Sequence, residues 1–219
     1  MPTDILPDPA NKINAAGNAD TSANGKAGPG FAKIKFRSSY QTQVSRTVSG
    51  RGVSASPGFH MWEFDINYNP ITREEFEPVN SFLEDRQGRL KPFFVILPQY
   101  SIPRDNTLAG TINTSGVHAE GSTVITHVGR TAGTFSVGDF INFVDPLDSF
   151  HLKAYKIVAV PSTTTIKISP PLVRSTSTGS NIRYTNTKFR VIQKSDVIDY
   201  DLDTDNLYQF SLSLEEIQP

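Results

Sequence analysis

Phe59-His-Met-Trp-Glu-Phe-Asp-Ile-Asn-Tyr68 is the segment of this chain that says most about its structure. From Trp62 to Tyr68, large apolar side chains alternate with acidic or amide ones, which is the period of a β-strand with one buried face. One face of that strand would carry His60, Trp62, Phe64, Ile66 and Tyr68. We expect this face to lie in the core, with the indole and phenol groups finding hydrogen-bond partners at its ends.

A helix over about 72–87 should follow this strand. Thr72 can cap its N-terminus, and Glu75, three residues on, completes a capping box. The apolar residues between Phe76 and Leu83 recur at helical spacing and form a single stripe. Gly88 is placed to end the helix in the left-handed conformation.

The remaining strands fall into two groups. Residues 93–97 are apolar throughout, as expected for a strand covered on both faces. Residues 104–186 are rich in Thr, Ser and Gly, with short β-branched runs roughly ten residues apart, and this pattern predicts a small closed or nearly closed barrel. Longer alternating strands return at 188–194 and 206–216.

We therefore predict a mainly β (α+β) fold with one packed helix. Residues 31–103 and 187–219 would form one β-domain, and residues 104–186 would be a small β-barrel inserted into it. The core that joins strand 59–68, the helix and strand 93–97 should contain Trp62, Phe64, Phe76, Phe82 and Phe94.

Composition narrows the function classes. The formal net charge of −1 gives no overall field that would select nucleic acid or an anionic membrane. Because the chain has no cysteine, disulfides, thiol catalysis and cysteine-based metal sites are excluded. The N-terminus lacks the pattern of a signal peptide, and no window is apolar enough to span a membrane, so we expect no membrane partner.

Residues 1–30 are predicted to be an extended N-terminal arm. They contain no aromatic residue, and 18 of the 30 are Ala, Asn, Gly or Pro. Such a segment buries too little apolar surface to order by itself. We expect contacts outside this chain to order it, and the alternative is that it folds onto its own domain.

Three local patterns resemble the tail-tube-like proteins of tailed bacteriophages, especially distal tail and baseplate hub proteins. The first is Trp62-Glu-Phe-Asp-Ile-Asn-Tyr68 followed by the helical segment that ends at Gly88. The second is Gly138-Asp-Phe-Ile-Asn-Phe143, joined later by residues 151–158. The third is Thr165-Ile-Lys-Ile-Ser-Pro-Pro-Leu172. The last two look like the small β-barrel inserted in many tail and baseplate proteins.

The resemblance implies a mechanical role in the virion, with no enzymatic activity and no cofactor. Such proteins are assembled in the cytoplasm of the host bacterium and form rings, commonly hexamers, although a trimer is also possible here. The ring would join the tail tube to the tip, contact other tube, hub or baseplate proteins, and line the channel through which DNA passes. Neighbouring copies would pair strand edges, and residues 31–50 and 206–216 are the candidates.

The segment from Asp196 to Asp205 is the most acidic in the chain, with Asp199, Asp201, Asp203 and Asp205 at alternate positions. Alternation would place these four carboxylates on one side of an extended segment. Three interpretations are open: a solvated turn between strands, an acidic loop facing the lumen that lets DNA slide, or a metal site. The spacing lacks the Gly and Glu of a calcium loop, so we predict no metal here.

No other pattern points to catalysis. The four histidines are scattered, and no nucleophile elbow is present. Lys33, Lys35 and Arg37 form a basic row that we interpret as a solvated strand face or as salt bridges to a neighbouring subunit. A carbohydrate-binding or host-adhesion module is the alternative function, with Phe150, Tyr155 and Tyr184 as its candidate aromatics. A hydrolase, the third hypothesis, would need a pocket of converging titratable groups.

Overall fold

The computed structural model describes residues 4–8, 30–55 and 59–218. Within those ranges the chain forms one helix and fourteen strands: β1 (Phe31–Tyr40), β2 (Gln43–Arg46), β3 (Gly52–Ala55), β4 (His60–Tyr68), α1 (Arg73–Arg86), β5 (Phe93–Val95), β6 (Ala109–Thr114), β7 (Val124–Ala132), β8 (Phe140–Val144), β9 (Ala154–Ser162), β10 (Thr165–Ser169), β11 (Asn181–Arg183), β12 (Phe189–Gln193), β13 (Tyr200–Leu202) and β14 (Tyr208–Glu216). The predicted mainly β fold with one helix and an inserted small barrel is confirmed.

The main sheet has the strand order β1-β4-β14-β12-β5, and β13 pairs with the first residues of β14. β1 and β4 are antiparallel, with Tyr40 opposite His60 at one end and Phe31 opposite Tyr68 at the other. The alternation predicted for β4 is confirmed, since every second side chain from His60 to Tyr68 is buried.

Of the indole and phenol groups on β4, only the indole finds the expected hydrogen-bond partner. The Trp62 indole Nε1 donates to the Ala154 carbonyl oxygen over 2.8 Å. The buried Tyr68 hydroxyl has no hydrogen-bond partner among the described residues. Its ring instead stacks on Phe210, with centroids 3.9 Å apart.

Helix α1 begins as the capping box predicts. The Glu75 carboxylate accepts a hydrogen bond of 3.2 Å from the Thr72 backbone N–H. The predicted end was one residue late, because Gln87 is the C-cap and already adopts the left-handed conformation with φ of 55°. Gly88 follows with φ of 63°, in a position where the Asp196 backbone approaches too closely to admit a Cβ.

The predicted core needs two corrections. Trp62, Phe64 and Phe76 are buried, but Phe82 and Phe94 are only half-buried. The Phe82 ring lies at the margin of the core, edge-on to Phe93 and beneath the Arg86 guanidinium. Phe94 faces away from Phe93 because side chains alternate along a strand, and it packs with Ile5 and Ile96 in a separate small cluster.

Residues 109–183 contain a closed six-stranded barrel of order β10-β7-β6-β11-β8-β9. Its interior is filled by aliphatic and aromatic side chains such as Ile112, Ile141 and Tyr155, each with no exposed surface. The barrel is therefore a packed core, not a channel or a ligand cavity.

The predicted arm is described only at residues 4–8 and at Gly30, and the rest of it lies outside the described residues. Residues 4–6 lie along β5, where the Leu6 N–H donates to the Phe94 carbonyl oxygen over 2.8 Å. Leu6 is 2% exposed and belongs to the main core. This first part of the arm thus packs on its own domain, as the alternative interpretation held.

Candidate functional site

The outward face of the main sheet carries charged and polar side chains that pair with one another. Arg37 on β1 reaches Glu63, at 3.2 Å, and Asp65 on the neighbouring β4. Lys194 approaches the same Glu63 carboxylate to 2.5 Å. Hydrogen bonds from Lys194 and the attraction of both cations hold the pKa of Glu63 below its usual value, despite partial burial. The Arg37 side chain therefore pairs within its own chain, whereas Lys33 and Lys35 are exposed.

Strand β1 is an open edge of this sheet. Among the described residues it pairs only with β4, and its ten residues give an edge of roughly 33 Å. The second candidate edge, 206–216, was a wrong prediction for most of its length. β14 lies inside the sheet between β4 and β12. Its alternating Phe210, Leu212 and Leu214 are buried in the main core, which covers the middle of the sheet.

The acidic segment forms a hairpin, not one continuous extended run. Asp199 and Asp201 lie beside or within β13, but Asp203 and Asp205 belong to the turn that leads into β14. The Asp203 carboxylate accepts hydrogen bonds from the Thr204 N–H and hydroxyl, which is how short polar side chains stabilise turns. The four carboxylates are exposed but do not share one side of a strand, so that part of the prediction is wrong.

Strands β2 and β3 form a two-stranded ribbon that the sequence indicated only in part. Every residue of both strands is exposed, and among the described residues they pair only with each other. The tip is a turn in which the Gly50 N–H donates to the Thr47 carbonyl oxygen over 2.8 Å, with Gly50 at φ of 79°. Gly50 and Gly52 are residues that favour a turn, but nothing in the sequence pattern shows that the two strands leave the sheet.

A buried ion pair joins the barrel to the main sheet, and sequence reasoning missed it. The Lys153 ammonium lies 2.5 Å from Glu216 Oε2, and both side chains are almost fully buried, at 0% and 1% exposure. Lys153 also donates to the His60 carbonyl oxygen, and the Trp62 N–H donates to Glu216 Oε2. Burial lowers the pKa of Lys153 and raises that of Glu216, while their attraction acts in the opposite sense.

The barrel loops carry a second polar cluster with a structural role. Asp145 accepts hydrogen bonds from the Ser177 N–H and hydroxyl and from the Leu147 N–H. Although burial raises the pKa of Asp145, these hydrogen bonds lower it to about 2. His151 is buried against Tyr155, and burial lowers its pKa to about 4. These groups tie one loop to the next.

The aromatic residues proposed for sugar binding do not form a platform. Phe150 is 58% exposed, but Tyr155 has no exposed surface and Tyr184 donates its hydroxyl to the Gly110 carbonyl oxygen. One polar groove of about 430 Å³ is lined by Arg183, Tyr184 and Lys188, without a carboxylate or histidine among its lining residues. Within residues 4–8, 30–55 and 59–218, no three His, Asp or Glu side chains lie close enough to hold a metal ion.

No family model matches the chain, and no curated protein matches it at a significant level. In the part of the chain that the structure describes, no helix has the length and apolar character needed to cross a membrane.

Proposed function

We propose that this chain is a structural subunit of a bacteriophage tail, a distal tail or baseplate hub protein without enzymatic activity. Copies would close into a ring that joins the tail tube to the tip and lines the DNA channel. A ring of six copies is favoured over a ring of three. Its other partners would be tube, hub or baseplate proteins of the virion, and assembly would take place in the host bacterial cytoplasm.

The observation that carries this proposal is the form of the main sheet. One face packs on the core beneath α1, and the opposite face is a ladder of paired charges around Arg37, Glu63 and Lys194. A polar sheet face suits a water-filled channel. The long open edge at β1 is a hazard in a monomer and would become an interface in a ring.

The exposed aspartates of the β13–β14 hairpin support the same proposal. The turn at residues 203–206 carries Asp203 and Asp205, and Asp199 and Asp201 precede it. Those carboxylates that a neighbouring copy leaves uncovered would repel the DNA phosphates at a channel and so keep passing DNA from binding.

Light scattering on the purified protein tests self-assembly. We expect the mass to rise from one copy to a single discrete multiple as the concentration increases. The matched variant replaces residues 9–29 by a short Gly-Ser link. This is feasible because the Gly30 N–H already donates to the Asp8 carboxylate over 2.9 Å, while Ile5 and Leu6 stay in place.

Two outcomes separate the alternatives. A discrete multiple, whether or not it depends on residues 9–29, supports the ring and gives its symmetry. A monomer at every concentration, combined with glycan binding, contradicts the ring and favours the adhesion module.

A further inference from the structure

We propose that the β2–β3 ribbon of one copy docks on the β13–β14 hairpin of a second copy. This inference rests on the proposed ring and names the contact that would build it. The ribbon comprises residues 43–55, and the acidic hairpin comprises residues 199–208.

The ribbon has the properties of a docking element. Val44 is 68% exposed and Val53 is 53% exposed, on opposite faces, and Val48 at the tip is fully exposed. An isolated two-stranded hairpin is at best marginally stable in water. A partner that covers these side chains would therefore stabilise the ribbon as well as the contact.

The acidic hairpin offers complementary features. Tyr200 and Leu202 on β13 are 50% and 55% exposed. Among the described residues β13 pairs with β14 alone, so its other edge can accept a further strand. The ribbon has two such edges of its own.

The segment that contains the ribbon is basic, and the segment that contains the hairpin is acidic. Residues 21–62 contain six Lys or Arg and no Asp or Glu, and Arg46 and Arg51 lie on the ribbon. Residues 195–219 contain seven Asp or Glu and no Lys or Arg. Opposite charge on two exposed surfaces favours encounter and excludes contacts between like surfaces.

The two surfaces are attached at opposite ends of the β1–β4 strand pair. The ribbon leaves the sheet at Tyr40 and returns at His60, whereas the hairpin lies where Tyr208 pairs with Ile71, near Phe31 and Tyr68. Phe31 and Tyr40 are nine residues apart along β1, so the two ends of this strand are separated by roughly 30 Å. When each copy uses its ribbon on one neighbour and its hairpin on another, the contact is head-to-tail, and such contacts form a ring if the rotation between copies closes.

Reciprocal charge reversal tests the contact. One variant carries R46E and R51E, and the other carries D201K and D205K, which spares the Asp203 turn. Each variant alone brings like charges together, so we expect its association to weaken at least about tenfold. In a ring with an even number of copies, such as the favoured hexamer, an equimolar mixture alternates the two variants and restores both contacts, so we expect it to recover the wild-type mass. A ring of three cannot alternate two variants, so there the mixture would associate without closing at the wild-type mass.

The control makes the same charge change on the barrel, with K156E and K167E, and should assemble like the wild type. All variants are first compared with the wild type by thermal melting, so that misfolding is not read as lost association. If the reversed variants assemble as the wild type does, the docking inference is wrong while the ring stands.

Disulfide trapping adds an independent readout, because the natural chain has no cysteine. A V48C protein mixed with a T204C protein should form a covalent heterodimer, and V48C mixed with K167C should not. Equal cross-linking in the two mixtures would overturn the inference. A monomeric wild type without a V48C–T204C cross-link would contradict both the contact and the ring.

Discussion

At the scale of single residues, the Lys153–Glu216 pair decides how the barrel is held on the sheet. Each charge is removed from water, so each depends on the other and on the His60 and Trp62 backbone groups for compensation. Neither residue has a motif around it. The sequence could not identify the pair because the partners are 63 positions apart and meet only when the barrel docks.

Breaking this pair should destabilise the fold strongly. We expect K153M to lower the free energy of unfolding by about 3–5 kcal/mol, because Glu216 would be left buried and unpaired. The double variant K153M/E216L removes both charges and should recover most of that loss. Urea denaturation of the wild type, K153M, E216L and the double variant measures these free energies of unfolding. Additive losses in the double variant would show that the charges do not interact.

Buried histidines should make stability depend on pH. Burial, with a further contribution from Lys153, lowers the pKa of His60 to about 4, and burial lowers that of His151 to about 4. The unfolded chain, with a His pKa of about 6.5, binds more protons in this range. The stabilisation is therefore complete above pH 6.5 and is lost as pH falls to 4, by up to about 3 kcal/mol per histidine.

The variant H60N/H151N isolates this effect from other groups. The raised pKa of Glu216 acts in the opposite direction, since protonation of that carboxyl is easier in the folded state. Denaturation midpoints between pH 4 and 7.5 should fall less steeply with acid for the double variant than for the wild type. Parallel curves for the two proteins would refute the assignment to these histidines.

At the scale of elements, the helix and β4 were predictable because local signals agreed with the tertiary structure. The Thr72–Glu75 box and the alternation along β4 each need only a few neighbouring residues. The depth of burial was not predictable. Phe82 belongs to the apolar stripe of α1, yet it lies only half-buried at the margin of the core, beside Phe93.

Two helix positions test this distinction. Phe76 is 2% exposed and contacts Tyr208, Tyr200 and Phe210. We expect F76A to cost about 3–5 kcal/mol and F82A clearly less, because a half-buried ring leaves a smaller cavity. Thermal or urea unfolding of both variants makes the comparison, and equal losses would contradict the burial described for Phe82.

The β2–β3 ribbon should be dispensable for folding but not for assembly. The Gln41 N–H donates to the Phe59 carbonyl oxygen, so β1 and β4 can be joined by a two-residue Asn-Gly turn in place of residues 42–58. We expect the free energy of unfolding to change by less than about 1 kcal/mol, because every residue of the ribbon strands is exposed. Self-association should be lost. A shortened protein that unfolds on purification would contradict the first expectation.

At the scale of the whole molecule, the sequence indicated the class of fold and the inserted barrel, but not the order of the strands. Interior strands need apolar side chains and edge strands tolerate polar ones, yet 31–40 and 206–216 show similar alternation. In the sheet, β14 lies between β4 and β12, whereas β1 is the outermost strand and pairs only with β4 among the described residues. The sequence shows a basic segment and an acidic segment, but only the structure shows that the ribbon and the hairpin that carry them are attached at opposite ends of the sheet.

Electron microscopy of the purified protein at high concentration tests the central proposal most directly. We predict closed rings with a central opening, each built from several copies of this chain. The R46E/R51E variant should not form them. Images that show only single, compact particles of one chain, at concentrations where the mass is also monomeric, would contradict the proposal that this protein builds a ring.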